Sequence, residues 1–470
     1  MLESTEPTLK VLSLNCWGLW LVANKRRQRL EAIADWIANS AGPAPSRASY
    51  HSDSSEPGPG PALGYDVIAL QELWVHSDFT LVADRAKAAG LVHSKFFFSG
   101  AIGSGLAILS RHPIHSSWIT PYPLNGYPLH FIQGDFFAGK SVCGICIDVP
   151  RIGLVDVLNT HMYAPGGEGD DVTGAHRVAQ AWELARFTRE KAERGRHVIV
   201  MGDFNSQPHS IIMKIIQSCG QLLDSFAETH PPPPSITSAQ HRTLSPIEVL
   251  HTHGITCDSP LNTYSAPKLK HKSPSDEVIL RGGKRLDYIL YRSPTSSPAH
   301  LRATSTSLRL TEPIPSLAPP ATSYSDHFAL EATFVLTTAF SSLAAPDADP
   351  DAVLVPALAT LHAAYRANAR LSRTHLELFA VAVALVPAVA VASSFEPLRW
   401  LNWVLALVAV AVGAAGATML YVGFVGGRWE MGALRNVIGE LEDEVERIRR
   451  RGGHAVTTAS DDSAGHNGVW

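Results

Sequence analysis

"VIVMGDFNSQP", residues 198–208, decides the fold. Val198, Ile199, Val200 and Met201 run directly into Gly202, Asp203, Phe204 and Asn205. A run that is apolar at consecutive positions reads as a strand covered on both faces, so it belongs in a layered α/β architecture. It stops in an acid and an amide, and a rigid strand that presents such groups at its tip suits a metal ion or a reacting phosphate. Working outward, further strands are expected at "KVLSLNCW", "DVIALQE", "GLAILS", "SVCGICIDV", "LVDVLNTH", "RLDYILY" and "HFALEATFV". Helices fit at about 25–39 and 174–194, where apolar residues recur at helical spacing. Many strands with a few long helices between them predict an α/β (α+β) domain of two packed sheets with helices outside.

The chain has 470 residues, room for about two or three units. Its net charge is −4 and its pI is near 6.6, which gives no general electrostatic pull toward nucleic acid. Five scattered cysteines do not make a disulfide scaffold. Cys143 and Cys146 match a CxxC pattern, but they lie in an alternating strand-like run and read as buried thiols. The opening "MLESTEPTLK" lacks a basic-then-apolar signal, which predicts a cytosolic setting for this part. The Pro/Ser/Gly-rich stretches at about 40–62 and 229–283 are expected to be mobile insertions.

Composition changes near residue 340. After the small-residue linker "SSLAAPDADPD", segments 376–395 and 401–425 are each long and apolar enough to cross a hydrocarbon core of about 30 Å. The first carries only Glu377 near its end, and Pro387, which a membrane helix tolerates. Arg366, Arg370 and Arg373 precede it, and Arg428 and Arg435 follow the second, while the connecting "EPLR" has one basic residue. The positive-inside rule then puts both flanks, and the domain formed by residues 1–340, on the cytosolic side. The expected order is a catalytic domain over 1–340, a linker and juxtamembrane helix over 341–375, the two-helix transmembrane hairpin, an amphipathic helix over 426–452 and a disordered tail over 453–470. Leu354, Leu358, Leu361 and Tyr365 before the spans, and Leu434, Ile438, Leu441, Val445 and Ile448 after them, are spaced as coiled-coil seams. Two readings stay open: the flanks pack together or form a dimer contact, or each lies on the membrane surface.

Polar groups recur at the ends of the predicted strands: Asn15, Glu72, His161, Asp203, Asn205, Asp287, Asp326 and His327. Each alone has a bland reading as a cap or a solvated end. Together they form an oxygen-rich set that suits a hard cation such as Mg²⁺, and no Cys/His group with zinc spacing competes. The stretch from Gly134 through Gly139, Lys140 and Ser141 nominally fits a phosphate-binding glycine loop. Its "DFFA" interior is bulky and a strand follows it where a helix is required, so nucleotide binding is rejected.

In order and kind, these motifs over residues 8–336 resemble the endonuclease/exonuclease/phosphatase superfamily, whose fold is a four-layer αββα sandwich. "GSGLAILSRHPI", "YAPGGEGDDVTGAHRVAQAWEL" and the two spans resemble the neutral sphingomyelinases. "YPLNGYPLHFIQGDFFAGK", "HGITCDSPLNTY" and "GRWEMGALR" resemble the fungal inositol phosphosphingolipid phospholipase C branch. The resemblance implies Mg²⁺ as cofactor, held by Glu72 with Asn15 and Asp326. It implies His327 as general base oriented by Asp287, Asp203 and Asn205 at the nucleophile and a phosphate oxygen, and His161 as a donor to a phosphoryl oxygen. It further implies an Asp135–Lys140 activation switch that responds to anionic phospholipid, and it leaves Arg177 as a possible headgroup contact. The activity implied is phospholipase C-type hydrolysis of inositol phosphoceramides or sphingomyelin, at an endoplasmic reticulum or mitochondrial outer membrane. No nucleic-acid partner is expected, and the flanking helices allow a homo-oligomer. A membrane-anchored phosphoinositide phosphatase and a nuclease share the chemistry and stay as alternatives.

Overall fold

Consecutive apolar residues bury both faces of a strand only if each face has a cover. The computed structural model, which describes residues 7–41, 64–129, 134–164, 173–231, 244–269, 282–317, 319–338 and 350–452, supplies one on each side. Its strands are β1 (Thr8–Asn15), β2 (Val67–Gln71), β3 (His93–Phe97), β4 (Leu106–Ser110), β5 (Ile114–Pro121), β6 (Ser141–Val149), β7 (Gly153–His161), β8 (His197–Asp203), β9 (Leu223–Asp224), β10 (Asp287–Arg292), β11 (His300–Arg309) and β12 (Ala329–Thr337). The first sheet runs β11-β12-β1-β2-β4-β3 and the second β5-β6-β7-β8-β10-β9. Helices α1 (Arg26–Ala38) and α2 (His76–Ala86) cover the first, and α4 (Gly174–Glu193) and α5 (Ile211–Gly220) the second, α3 being the short turn Asp135–Ala138. This is the expected four-layer sandwich. Strand β8 shows the logic, because Ile199 and Met201 face the other sheet while Val198 and Val200 face α4 and α5.

Topology brings the chemistry to one end. The parallel pairs β1/β2 and β7/β8 are joined through α1 and α4, so each pair ends on the same side. The register sets Asn15 beside Gln71, His161 beside Asp203, and Asp203 beside Asp287.

The strands that the apolar pattern did not reveal, β3, β5, β9 and β11, are the outermost in their sheets. Edge strands keep one side wet and polar, as in "IHSSWITP" and "HLRATSTSLR", so they carry no continuous apolar run. The expectation of a mobile insertion over 229–283 is corrected in its described part. Pro246–His253 is a helix with a Ser245/Glu248 capping box, Leu250 and Asn262 are buried, and Cys257 pairs with His327 across a β-bridge. Most of 40–62, the 341–349 linker and the 453–470 tail lie outside the described residues.

The C-terminal part begins as one helix, Pro350–Ser393, about 66 Å long. It returns through Arg399–Leu420, a π-helical turn at Tyr421–Gly426 and a final helix, Gly427–Gly452. Two stretches are long and apolar enough to cross a membrane, and Val381, Leu385, Leu407 and Val410 on them are exposed. The helices approach closely where Gly416 meets Ala382, a contact in which a Cβ would intrude. Wider π-helical winding frees backbone carbonyls, and the Ser372 hydroxyl donates to Gly423 O at 2.6 Å. Both seams are filled within this chain: Leu354, Leu361, Leu434, Ile438, Leu441 and Val445 join one buried cluster with Val178, Leu184, Ile212 and Ile215 of α4 and α5. The flanks thus pack together and onto the sandwich, the first of the two readings.

Candidate active site

In the second sheet the polar groups are part of the ladder. Asp203 ends β8 between His161, the last residue of β7, and Asp287, the first of β10. Gly202 makes this possible. Its φ is 147°, and any Cβ would overlap the Thr160 carbonyl oxygen on the neighbouring strand. Asn205 adopts a left-handed φ of 45°, which asparagine tolerates, so that its N–H donates to Asp203 Oδ1 at 2.9 Å and its side-chain amide to Met162 O at 3.0 Å.

In the first sheet the groups stand just past the strands. Glu72 follows β2 in a left-handed conformation with φ 53°, a strained backbone for a glutamate. Asn15 Nδ2 donates to Glu72 Oε1 and to Asp203 Oδ2, both at 3.0 Å, and so ties the two sheets together. His327 Nδ1 lies 2.8 Å from Asp287 Oδ2, which fixes the tautomer, while Nε2 faces Asp203 Oδ2 at 3.8 Å. Asp326 is half-buried beside the Ser325 hydroxyl, near enough to Glu72 to disfavour its ionised form.

All eight strand-end residues meet here, with the role of His161 corrected. Asn15 Oδ1 accepts from Trp17 N–H at 3.0 Å, so its oxygen is engaged and its N–H₂ faces the carboxylates. Asn15 therefore orients Glu72 and Asp203 through its amide N–H groups. His161 Nε2 lies 2.7 Å from Lys140 Nζ, and because an ammonium only donates, Nε2 accepts and is not a donor in this arrangement. Lys140 also meets Asp135 Oδ1 at 3.2 Å, with both side chains buried, so the expected Asp135–Lys140 pair is formed. Arg177 belongs to another neighbourhood, buried in the first turn of α4 next to His176, whose ring accepts from Gly126 N–H and meets Glu430. Cys143 and Cys146 are free buried thiols on a strand, as expected.

Sequence reasoning missed the groups that hold the loops. Arg29, fully buried on α1, donates to the carbonyls of Asn24, Cys16, Trp17 and Tyr324 and so staples the loop after Asn15 to the segment before His327. Ser325 donates to Asn15 O at 2.6 Å and accepts from His327 N–H. Thr256 Oγ1 accepts from Leu286 and Asp287 N–H. Arg29 alone left a signal, a charge on the apolar face formed by Leu30 and Ile33.

Burial drives the electrostatics. It pushes Asp203 up to about 7, against the pull of His327, and it raises Glu72, with Asp326 adding to the effect. It lowers His161 well below the ordinary imidazole value, helped by Lys140. It works against the charged His327 ring too, but Cys257, Asp287 and Asp203 outweigh it and hold that pKa well above the usual value. Ligand atoms of Asp203, Asp287 and His327 lie within 4.8 Å of one another, and Asp287 Oδ1 is buried with no hydrogen-bond partner. With Glu72 and Asp326 beside them, these crowded carboxylates fit a hard divalent cation.

The model described as "Endonuclease/Exonuclease/phosphatase family" matches residues 12–327. The "Inositol phosphosphingolipids phospholipase C" of Schizosaccharomyces pombe is 32% identical over 444 residues, 93% of this chain and 94% of that protein. Its namesake in Saccharomyces cerevisiae is 37% identical over 69% of this chain and 64% of that protein. A "Putative neutral sphingomyelinase" of Caenorhabditis elegans is 30% identical over 71% and 68%. Among solved structures, sphingomyelinase C from Streptomyces griseocarneus aligns with 70% of this chain and 99% of its own, at 16% identity and a TM-score of 0.43.

Proposed function

Since the chain belongs to the endonuclease/exonuclease/phosphatase family, in the branch of neutral sphingomyelinases and inositol phosphosphingolipid phospholipases C, we propose that it is a Mg²⁺-dependent phospholipase C. Its substrates are membrane phosphosphingolipids, inositol phosphoceramide or sphingomyelin, and its products are ceramide and a phosphorylated headgroup. The observation that carries this reading is His327, backed by Asp287 and facing Asp203 beside Glu72, in a chain that also bears two apolar helices of membrane-crossing length.

Asp287 holds the proton on His327 Nδ1, so Nε2 is the atom that takes a proton from the attacking water, in the neutral ring that a cation beside the crowded carboxylates would favour. Asp203 and Asn205 flank the path of that water. Lys140, which donates to His161 Nε2 and is held by it, presents positive charge and its remaining N–H groups to the phosphate oxygens as charge builds. Glu72, with Asp326 near it, is the carboxylate that would hold Mg²⁺, and the ion would supply the positive charge that offsets the crowded carboxylates and the phosphate.

The basic flanks support a topology in which the domain and both termini face the cytosol, on an endomembrane. The segment that carries the buried Asp135–Lys140 pair is the one assigned to activation by anionic phospholipid, and Lys140→Ala is expected to lose lipid stimulation along with part of its basal turnover while staying soluble in detergent. The main test is headgroup release by purified protein and its His327→Ala variant, with Mg²⁺ or EDTA. Inositol phosphoceramide, sphingomyelin, a phosphoinositide and abasic-site DNA are offered side by side. Release from a sphingolipid should need Mg²⁺ and fall by at least about 10³-fold in the variant. Hydrolysis of the phosphoinositide or the DNA alone would overturn the substrate assignment.

A further inference from the structure

We infer that Trp20, Leu21 and Val22, with Phe98, Ile102 and Phe136, form an apolar rim around the site that seats into the leaflet holding the two spans. The inference rests on the reading that the substrate is a lipid. Trp20, Leu21 and Val22 are 64%, 85% and 63% exposed, and Phe98 is 70% exposed. Single exposed apolar residues are ordinary, but a contiguous Trp-Leu-Val in a loop is not.

Register places the whole rim at the catalytic end. The loop after β1 starts next to Asn15, and Asn15 is level with Gln71. The loop after β3 starts at Phe98, and Phe97 pairs with Leu106, the residue that opens β4. In the second sheet Pro121 pairs with Ser141, so Phe136, just before β6, belongs to the same end. The two sheets join there, because the N–H groups of Ala101 and Ile102 donate to Phe137 O at 2.8 and 3.0 Å.

The occupant follows from where the second span ends. Gly426, at the close of the π-helical turn, lies against Pro128, and Trp429 Nε1 donates to Pro123 O at 3.2 Å. Both partners sit in the loop that follows β5, again at the catalytic end. The chain therefore emerges from its second span level with the site, and the headgroup boundary of that leaflet meets the rim. Aromatic and aliphatic side chains at such a boundary bury their apolar bodies in the acyl region. The tether and the rim thus turn the mouth of the site toward a substrate whose scissile bond lies at the headgroup level.

Because the spans already hold the protein in the membrane, the rim acts on orientation, and its removal shows in turnover at a bilayer. The test uses full-length protein in vesicles whose acyl chains are brominated, compared with its Trp20→Phe variant. Quenching by the bromines should include a component that Trp20→Phe removes. A second variant, Trp20→Ser/Leu21→Ser/Val22→Ser, should lose at least about tenfold in hydrolysis of bilayer-embedded substrate yet stay within about twofold in detergent micelles. Equal quenching in wild type and Trp20→Phe, equal loss in bilayer and micelle, or self-association that the triple variant abolishes would overturn the inference. Quenching at Trp20 without any sphingolipid hydrolysis would support the rim and overturn the catalytic reading. Hydrolysis that ignores both variants would do the reverse.

Discussion

The two sheets deliver the groups of the candidate site by different means. His161, Asp203 and Asp287 of the second sheet are members of adjacent strands, aligned by the backbone ladder itself. Glu72, Asp326 and His327 of the first sheet stand beyond their strands and depend on Arg29, Ser325 and Asn15 for position. A ladder spreads the cost of placing a group over many backbone hydrogen bonds, whereas a staple concentrates it in one side chain. One half of the site should therefore fail only with the fold, and the other should fail alone.

The largest effect expected from this contrast is at Gly202. Gly202→Ala must push β8 away from Thr160, and it should destabilise the protein by more than about 4 kcal/mol in a thermal melt in detergent. A variant that melts normally and stays active would break the contrast, because the ladder would then tolerate displacement at the site. Arg29→Met comes next. It leaves the carbonyls of Cys16, Trp17 and Tyr324 without their buried donor, at about 3 kcal/mol, and by misplacing Glu72 and His327 it should lower kcat about 100-fold with KM little changed. A purely structural role would lower the melting temperature and leave kcat per folded molecule intact.

The same contrast explains what the sequence revealed. The interior strands and all eight strand-end residues were legible, because burial on both faces leaves a continuous apolar run and an acid or amide at its tip is conspicuous. The edge strands were not, since half-exposure erases the pattern. The staples were nearly invisible: Ser325 and Thr256 are ordinary small polar residues whose partners lie 310 and 31 positions away in the chain. The roles of Asn15 and His161 needed geometry, because the choice between donor and acceptor turns on Trp17 N–H and Lys140, which no spacing rule brings together. Seam spacing was legible in the flanking helices, but spacing alone could not choose between packing together and lying on a membrane.

A matched pair of small substitutions sharpens the contrast at lower energy. Ser325→Ala removes the donor to Asn15 O and the acceptor for His327 N–H, and it should lower activity about tenfold while stability changes by no more than about 1 kcal/mol. Thr160→Val, in the ladder next to His161, removes a hydroxyl that donates to Ser141 O and bonds Tyr122. It should cost about 1 kcal/mol of stability and leave activity within about twofold. The reverse ranking, with Thr160→Val inactive and Ser325→Ala fully active, would show that the ladder holds the site less firmly than the staples do.

The smallest effect lies at the far end of β8, where His197 is buried about 20 Å from Asp203 along one strand. Burial, with a smaller contribution from His300, lowers its pKa from 6.5 to about 4. Folding therefore favours the neutral ring, and that stability is fully present above pH 6.5 and is lost as pH falls from about 6.5 toward 4. Between pH 7 and pH 6 the loss should be under about 1 kcal/mol, read as the difference between the melts of wild type and His197→Gln. Activity per folded molecule should have the same pH profile in both proteins, because a charge appearing that far away in a fixed ladder does not move Asp203. A profile shifted by His197→Gln would mean that β8 carries strain from one end to the other, and the second sheet would then be as dependent on single side chains as the first.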